Sequence, residues 1–303
     1  MKPATFEYHR PATVEEATAL LAEHSHDAEL MAGNQSLGII MANRLATPEH
    51  LVDINDLDEL SYIDVDDDTV AIGALTRHRD LAGDPALAEA LPMFTEAAEQ
   101  IAGPTVRNLG TIGGSIAEAD PAGNYPTVLA ALDADLHITS SEGERTVSAR
   151  DYFIAYMFTD LAEDELITGV SVSREPFPPE RTGMAFLEQK PATQTWPTIS
   201  AGTSVRVDDP EADEPVVEDA RVALANASDV PLRVEAAEEA VEGEPLTDET
   251  LDAAAEAAMA EARPQGEFHA DEEYKLELAG EYTRRSLQAS YTNATTDDTD
   301  THQ

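Results

Sequence analysis

Cysteine is absent from the 303 residues. That removes a disulfide framework, a thiolate nucleophile, a Cys-bound zinc and any iron–sulfur cluster held by this chain itself. Lysine is nearly absent as well. Only Lys2, Lys190 and Lys275 occur, and Lys and Arg together number 18 against 61 Asp and Glu. The formal charge of −43 excludes nucleic acid as a partner, because a phosphate polymer would be repelled over almost the whole surface. No run approaches the roughly 18 consecutive apolar residues of a membrane span. Met1-Lys2-Pro3-Ala4-Thr5-Phe6 has no apolar stretch behind it and does not read as a signal peptide. The expectation is a soluble, cytoplasmic protein.

Charge of this size is also compatible with disorder, but apolar periodicity through most of the chain speaks for a folded protein. High salt accounts for it better. At about 1 M salt the Debye length falls to about 3 Å, so the mutual repulsion of surface carboxylates is screened. Hydrated Asp and Glu then keep the protein in solution. The composition resembles that of haloarchaeal proteins, and runs such as Asp64-Val65-Asp66-Asp67-Asp68 read as solvated surface rather than metal sites. No metal site is expected in the chain.

The length allows two or three domains. A strand at residues 6–8, a capping box Thr13-Val14-Glu15-Glu16 heading a helix over 17–23, a strand at 29–32, a short helix at 37–43 and a strand at 50–54 predict a small βαβ-like subdomain, residues 1–55. A hairpin (60–65 and 69–74), a helix from Asp84 to Ile101, a helix at 126–132, a second hairpin (136–139 and 145–147) and a strand at 166–172 predict a second subdomain, residues 56–176. Pro176-Phe177-Pro178-Pro179 reads as a linker. Strands at 185–188, 199–207 and 220–227, then helices at 234–241, 250–262 and 271–287, predict a C-terminal unit, residues 180–290. Residues 291–303 read as a disordered acidic tail.

Two stretches carry chemistry. Thr111-Ile112-Gly113-Gly114-Ser115 places adjacent glycines between β-branched and small polar residues. Ala32-Gly33-Asn34-Gln35-Ser36 has the same character. Glycines let backbone N–H groups approach an anion with no Cβ in the way. In a chain this acidic, backbone dipoles supply positive charge that lysine does not. Asn34, Gln35, Ser36, Thr111 and Ser115 add hydrogen-bonding groups suited to phosphate oxygens. Each loop by itself reads equally well as a tight strand-to-helix turn. Neither is a Rossmann fingerprint or a P-loop. Arg107 reads as a local charge or a surface ion pair.

In order along the chain, Phe6-Glu7-Tyr8-His9-Arg10-Pro11, Ala32-Gly33-Asn34-Gln35-Ser36, residues 43–54, Ile72-Gly73-Ala74-Leu75-Thr76, Thr111-Ile112-Gly113-Gly114-Ser115, Asp120-Pro121 and Tyr282-Thr283-Arg284-Arg285 resemble the FAD-binding medium subunit of the molybdenum hydroxylases. This is the family of aerobic carbon monoxide dehydrogenase and xanthine dehydrogenase. The resemblance implies an α+β fold. A two-subdomain FAD-binding domain, one small α/β lobe and one larger mixed-sheet lobe, precedes a small C-terminal α+β domain with a three-stranded antiparallel sheet and helices.

It also implies that the two glycine loops clasp the FAD pyrophosphate, which assigns Ala32, Gly33, Asn34, Gln35, Ser36, Thr111, Gly113, Gly114 and Ser115 to the cofactor. Asn34 stands where many members have a second Gly, Ser115 where Asn is usual, and Asn124 where an Asp lies near the nucleotide. Lys190 corresponds to basic residues near the flavin ring. Trp196, the only tryptophan, falls where a Tyr sits beside the isoalloxazine; it reads as a flavin shield or as a core or interface aromatic. His9, His78 and His137 read as surface or structural groups, and no catalytic acid, base or nucleophile is expected. The implied partners are a large molybdenum-cofactor subunit and a small [2Fe–2S] subunit, as a dimer of heterotrimers. A stand-alone FAD oxidoreductase and a scaffold subunit that has lost FAD are the alternatives.

Overall fold

In the computed structural model, which describes residues 2–296, three main sheets follow one another along the chain. The first is built from β1 (Glu7–His9), α1 (Val14–His24), β2 (Ala28–Met31), α2 (Leu37–Ala42) and β3 (His50–Asp53). Its strands are all parallel, in the order β1-β3-β2, as βαβ connections require. The Thr13 hydroxyl caps α1 by accepting from the Glu16 N–H at 3.2 Å. The reciprocal half of the expected capping box is displaced by one residue, since Glu16 accepts from the Ala12 N–H instead. Ala17 and Leu21, four apart on one helix face, are buried against Val52 and Ile54. Leu60, Leu75 and Leu166 from the next unit complete that core. At roughly 2 kcal/mol for each buried Leu, the small lobe depends on its neighbour.

The second sheet comprises β4 (Ile63–Val65), β5 (Thr69–Gly73), then a helical excursion of α3 (His78–Gly83), α4 (Pro85–Ala90), α5 (Pro92–Gln100), α6 (Pro104–Arg107), α7 (Ile112–Glu118) and α8 (Asn124–Ala131). The chain returns as β6 (Asp135–Ser140), β7 (Gly143–Ser148), α9 (Ala149–Tyr152), the hairpin β8 (Phe153–Ala155) and β9 (Phe158–Thr159), and β10 (Leu166–Ser173). The strand order is β4-β5-β10-β6-β7, antiparallel throughout. This corrects the expected mixed sheet. The long crossover from β5 to β6 would make a parallel pair, but β10 inserts between them and runs opposite to both. The single helix expected from Asp84 to Ile101 is two helices. Pro92 disfavours helical dihedrals at the preceding residue, and Leu91 sits at φ −144°.

The third unit holds β11 (Thr182–Gln189), β12 (Ile199–Val207), β13 (Val217–Ala225), β14 (Leu232–Arg233), α10 (Glu235–Glu239), α11 (Asp248–Glu261) and α12 (Glu272–Thr295). Four antiparallel strands replace the expected three. The extra strand is only Leu232–Arg233, held on β13 at Leu224 and Ala223, too short for any period-2 pattern. Helix α12 continues to Thr295, past the point where the tail was expected to begin; residues 297–303 of that tail lie outside the described residues. Met184, Phe186 and Ala223 enter the core of the second unit. Arg221 and Arg233 pair with Asp133, and Arg150 pairs with Glu235, which joins the two units. Two of the three lysines lie inside: Lys275 is fully buried against Glu267 at 2.9 Å, and Lys190 is paired with buried Glu188. Among the described residues no helix is long and apolar enough to cross a membrane.

Candidate functional site

Parallel strands leave their carboxyl ends pointing to one edge of the sheet, the usual place for a ligand in such an arrangement. Here the chain leaves β2 into residues 32–36 and leaves β3 into Asn55. The Asn55 amide donates to Ala32 O and to Asp53 Oδ1, both at 2.7 Å. Tyr8 donates its hydroxyl to Asp53 Oδ2 at 2.5 Å. Burial opposes ionisation of Asp53, yet these donors hold its carboxyl below the ordinary range. Asn34 takes a left-handed φ of 57°. Only Gly, Asn and Asp visit that conformation readily, so Asn34 does what a second glycine would do. The Gln35 side chain donates to Gly33 O at 2.7 Å and closes the turn. Among the described residues, the N–H groups of Gly33, Asn34, Gln35 and Ser36 meet no acceptor. They are the open donors of this region.

The second loop is arranged differently. Thr111 caps α7, its Oγ1 accepting from the Gly114 N–H at 3.1 Å. The Ile112 N–H donates to Thr76 O at 3.1 Å and the Gly113 N–H to Ala74 O at 2.9 Å. The donors expected to face an anion are therefore committed to the fold. Gly113 is a packing glycine: a Cβ there would lie 2.6 Å from the Ala74 Cβ. Gly114 is exposed, and a Cβ on it would meet only Thr111 Oγ1, at 2.9 Å. It presents an open, flat surface at the first turn of α7, with half-buried Ser115 beside it.

The two loops touch. A Cβ on Gly33 would stand 2.2 Å from Leu109 O and 2.7 Å from the Gly110 Cα. Ser36 reaches Glu118 at the far end of α7, whose carboxyl is raised by burial in spite of that hydrogen bond. Arg77 ties the contact: it donates to Asn55 Oδ1 at 2.7 Å and to Leu109 O, and its backbone bridges to Thr111. Sequence reasoning missed Arg77. The available signal was a scarce cation directly after Ile72-Gly73-Ala74-Leu75-Thr76.

His78 supports the second loop from beneath. It is 5% exposed, its Nδ1 lies 3.1 Å from the Tyr125 hydroxyl, and Gly110 packs over its Nε2. Burial, with Arg77 and Arg107 nearby, pushes its pKa down to about 4. The unfolded chain protonates this ring near pH 6.5 while the folded protein does not until about pH 4, so the unfolded state binds more protons in that window. Stability is complete above about pH 6.5 and falls as pH drops toward 4, by about 3 kcal/mol for this group. We expect the melting temperature of His78→Gln to fall less between pH 6.5 and 4 than that of the wild type. Parallel pH profiles would assign the slope to another group.

The remaining predicted residues form a second cluster. Buried Asn124 donates to Ala97 O at 2.9 Å and approaches Glu188 Oε2 at 3.5 Å. Glu188 pairs with Lys190, which also donates to Gln100 O. Asn124 and Lys190 thus meet through Glu188, and the Lys190 ammonium is occupied within the protein. Trp196 is 55% exposed, which removes the core reading. Its loop leans on the stretch leading to the second glycine loop, with Gln194 against Gly103.

Residues 4–174 match the family described as the FAD binding domain in molybdopterin dehydrogenase, and residues 185–290 match the CO dehydrogenase flavoprotein C-terminal domain. The carbon monoxide dehydrogenase medium chain of Hydrogenophaga pseudoflava is 38% identical over 96% of this chain and 99% of its own length. The nicotine 6-hydroxylase medium subunit of Paenarthrobacter nicotinovorans is 33% identical over 95% of this chain and 98% of its own. Among solved structures, carbon monoxide dehydrogenase from H. pseudoflava superposes with a TM-score of 0.91 at 39% identity, covering 97% of this chain and 99% of that one. Quinoline 2-oxidoreductase from Pseudomonas putida 86 gives 0.90 at 29% identity, covering 98% and 100%. The chain belongs to the FAD-binding molybdopterin dehydrogenase family, in the form that carries the carbon monoxide dehydrogenase flavoprotein C-terminal domain.

Proposed function

We propose that this chain is the FAD-carrying electron-transfer subunit of a multi-subunit molybdenum hydroxylase of the carbon monoxide and xanthine dehydrogenase type. The observation that carries the assignment is the contact of the two glycine loops at Gly33 and Leu109, with free N–H donors on one side and the open face of Gly114 on the other. That arrangement fits a pyrophosphate. The N–H groups of Gly33, Asn34, Gln35 and Ser36 donate to its oxygens, the Gly114 surface admits it, and the Ser115 hydroxyl completes its shell. Arg77 and Asn55 hold the loops together. Ala32, Thr111 and Gly113 shape them through the backbone bonds described above. Lys190, paired with Glu188 beside Asn124, anchors the loop that presents Trp196 to the flavin ring. A bound FAD accepts electrons one at a time and delivers them in pairs, while the protein supplies placement and electrostatics.

The chain holds no cysteine, so the [2Fe–2S] clusters that feed the flavin belong to a small partner subunit and the molybdenum cofactor to a large one, in a dimer of heterotrimers. The division into residues 1–55, 56–176, 180–290 and a tail is supported by the succession of sheets. The source is a halophile and the compartment its cytoplasm. The −43 charge supports this, as does the placing of two of the three lysines inside the protein, leaving almost no ammonium on the surface. Purified in roughly 3 M salt, where exposed charges are fully screened, the protein should be yellow and release FAD on heating. A colourless protein that takes up no added FAD would overturn the proposal.

A further inference from the structure

Outside the glycine loops, three of the eight histidines meet at one end of the first sheet. We propose that His9, His24 and His50 form a binding site for a divalent transition metal of the zinc type, a clip that ties β1, α1 and β3 together. Among the described residues this is the one group of three or more potential ligands able to converge on a single ion, with its ligand atoms all within 4.8 Å of one another.

The topology produces the cluster. In the parallel register Glu7 lies opposite His50, and His9 lies two residues further along the same strand. All three therefore project to one face of the sheet. That is the face α1 covers, because Val52, opposite His9, is in its core. Helix α1 ends at His24, in its last turn. His9 Nε2 lies 3.0 Å from His50 Nδ1, and the His24 and His50 rings stack at 3.6 Å with 9° between their planes. Glu7 Oε2 stands 3.9 Å from His50 Nδ1 and is placed to serve as a fourth ligand.

With Zn–N bonds of about 2.0–2.1 Å, two ligands on a tetrahedral ion are about 3.3 Å apart. The His9–His50 pair is already at that separation. The His24 ring, stacked face to face on His50, would have to turn at the end of its helix to aim a ring nitrogen at the same ion. Neutral imidazole is the form that binds metal. The carboxyl end of α1 adds a favourable dipole for a cation. Imidazole also sets the choice of ion: surface carboxylates hold Mg2+ and Ca2+, whereas imidazole prefers Zn2+, Ni2+ and Cu2+. His9 thus has a role beyond the surface or structural one expected from sequence.

The test is a calorimetric titration of Zn2+ into the full-length flavoprotein, with excess Mg2+ present to occupy the many exposed carboxylates. One Zn2+ per chain is expected. His9→Gln and His24→Gln should each weaken it by about a hundredfold or more, the upper end of what losing even an outer-sphere partner costs, with flavin content unchanged. Binding indistinguishable from the carboxylate background, or equal in the variants, overturns the site. If a variant loses its flavin, the wild type decides alone. One equivalent of Cu2+ should give an electron paramagnetic resonance spectrum with nitrogen hyperfine structure, and a spectrum of oxygen ligands only overturns the proposal. Neither readout depends on the flavin assignment, so its failure is separable from that of the proposed function.

Discussion

Gly33→Ala should purify with little or no FAD and melt at a lower temperature than the wild type. The added Cβ would stand 2.2 Å from Leu109 O, a backbone atom that no rotamer change can move aside. Either residues 32–36 or residues 109–110 must retreat. Overpacking of this kind costs about 1–3 kcal/mol, and part of that is spent on a contact that also aligns the free N–H groups of Asn34, Gln35 and Ser36. A misaligned clasp binds a diphosphate roughly 10- to 100-fold more weakly, at 1.4 kcal/mol for each factor of ten. Flavin absorbance per protein, read before and after added FAD, measures the loss. A variant with full flavin and an unchanged melting temperature would mean that the loops need not touch.

The parts of this site that could be read from the sequence are those written in short local patterns. The βαβ character of the first lobe follows from apolar periodicity and from the Thr13 cap. The glycine loops stand out because an acidic chain has few other means of holding an anion. The particular donors are not legible, because they depend on long-range pairing. Gly113 and Ile112 spend their N–H groups on Ala74 and Thr76, which lie 39 and 36 residues back along the chain. Nothing local to the Gly-Gly pair reveals that. Arg77 shows the same limit, since its value lies in spanning Asn55 and Leu109. The family resemblance places Lys190 near the flavin ring, whereas Glu188 and Gln100 already hold its ammonium. The missed strand β14 and the break at Pro92 are simpler. One is two residues long; the other is a proline whose effect on Leu91 outweighed a continuous apolar stripe.

The two glycines that look alike in sequence should therefore fail in different ways. Gly114→Val is expected to abolish FAD retention with little change in the stability of the flavin-free protein. Its Cβ meets only the Thr111 hydroxyl, so the cost within the fold is limited to a strained cap, about 1 kcal/mol. That cost is partly offset, because glycine inside a helix is less favourable than valine by about 0.3 kcal/mol. What the side chain does fill is the open surface at the first turn of α7, where the proposed pyrophosphate lies. A flavin-free wild type and Gly114→Val should then melt together, while only the wild type takes up FAD and gains stability from it. Gly33→Ala would differ from both, being destabilised without the cofactor as well as with it. If Gly114→Val keeps its flavin at wild-type affinity, the second loop is a structural support of the first, and the clasp consists of residues 33–36 alone.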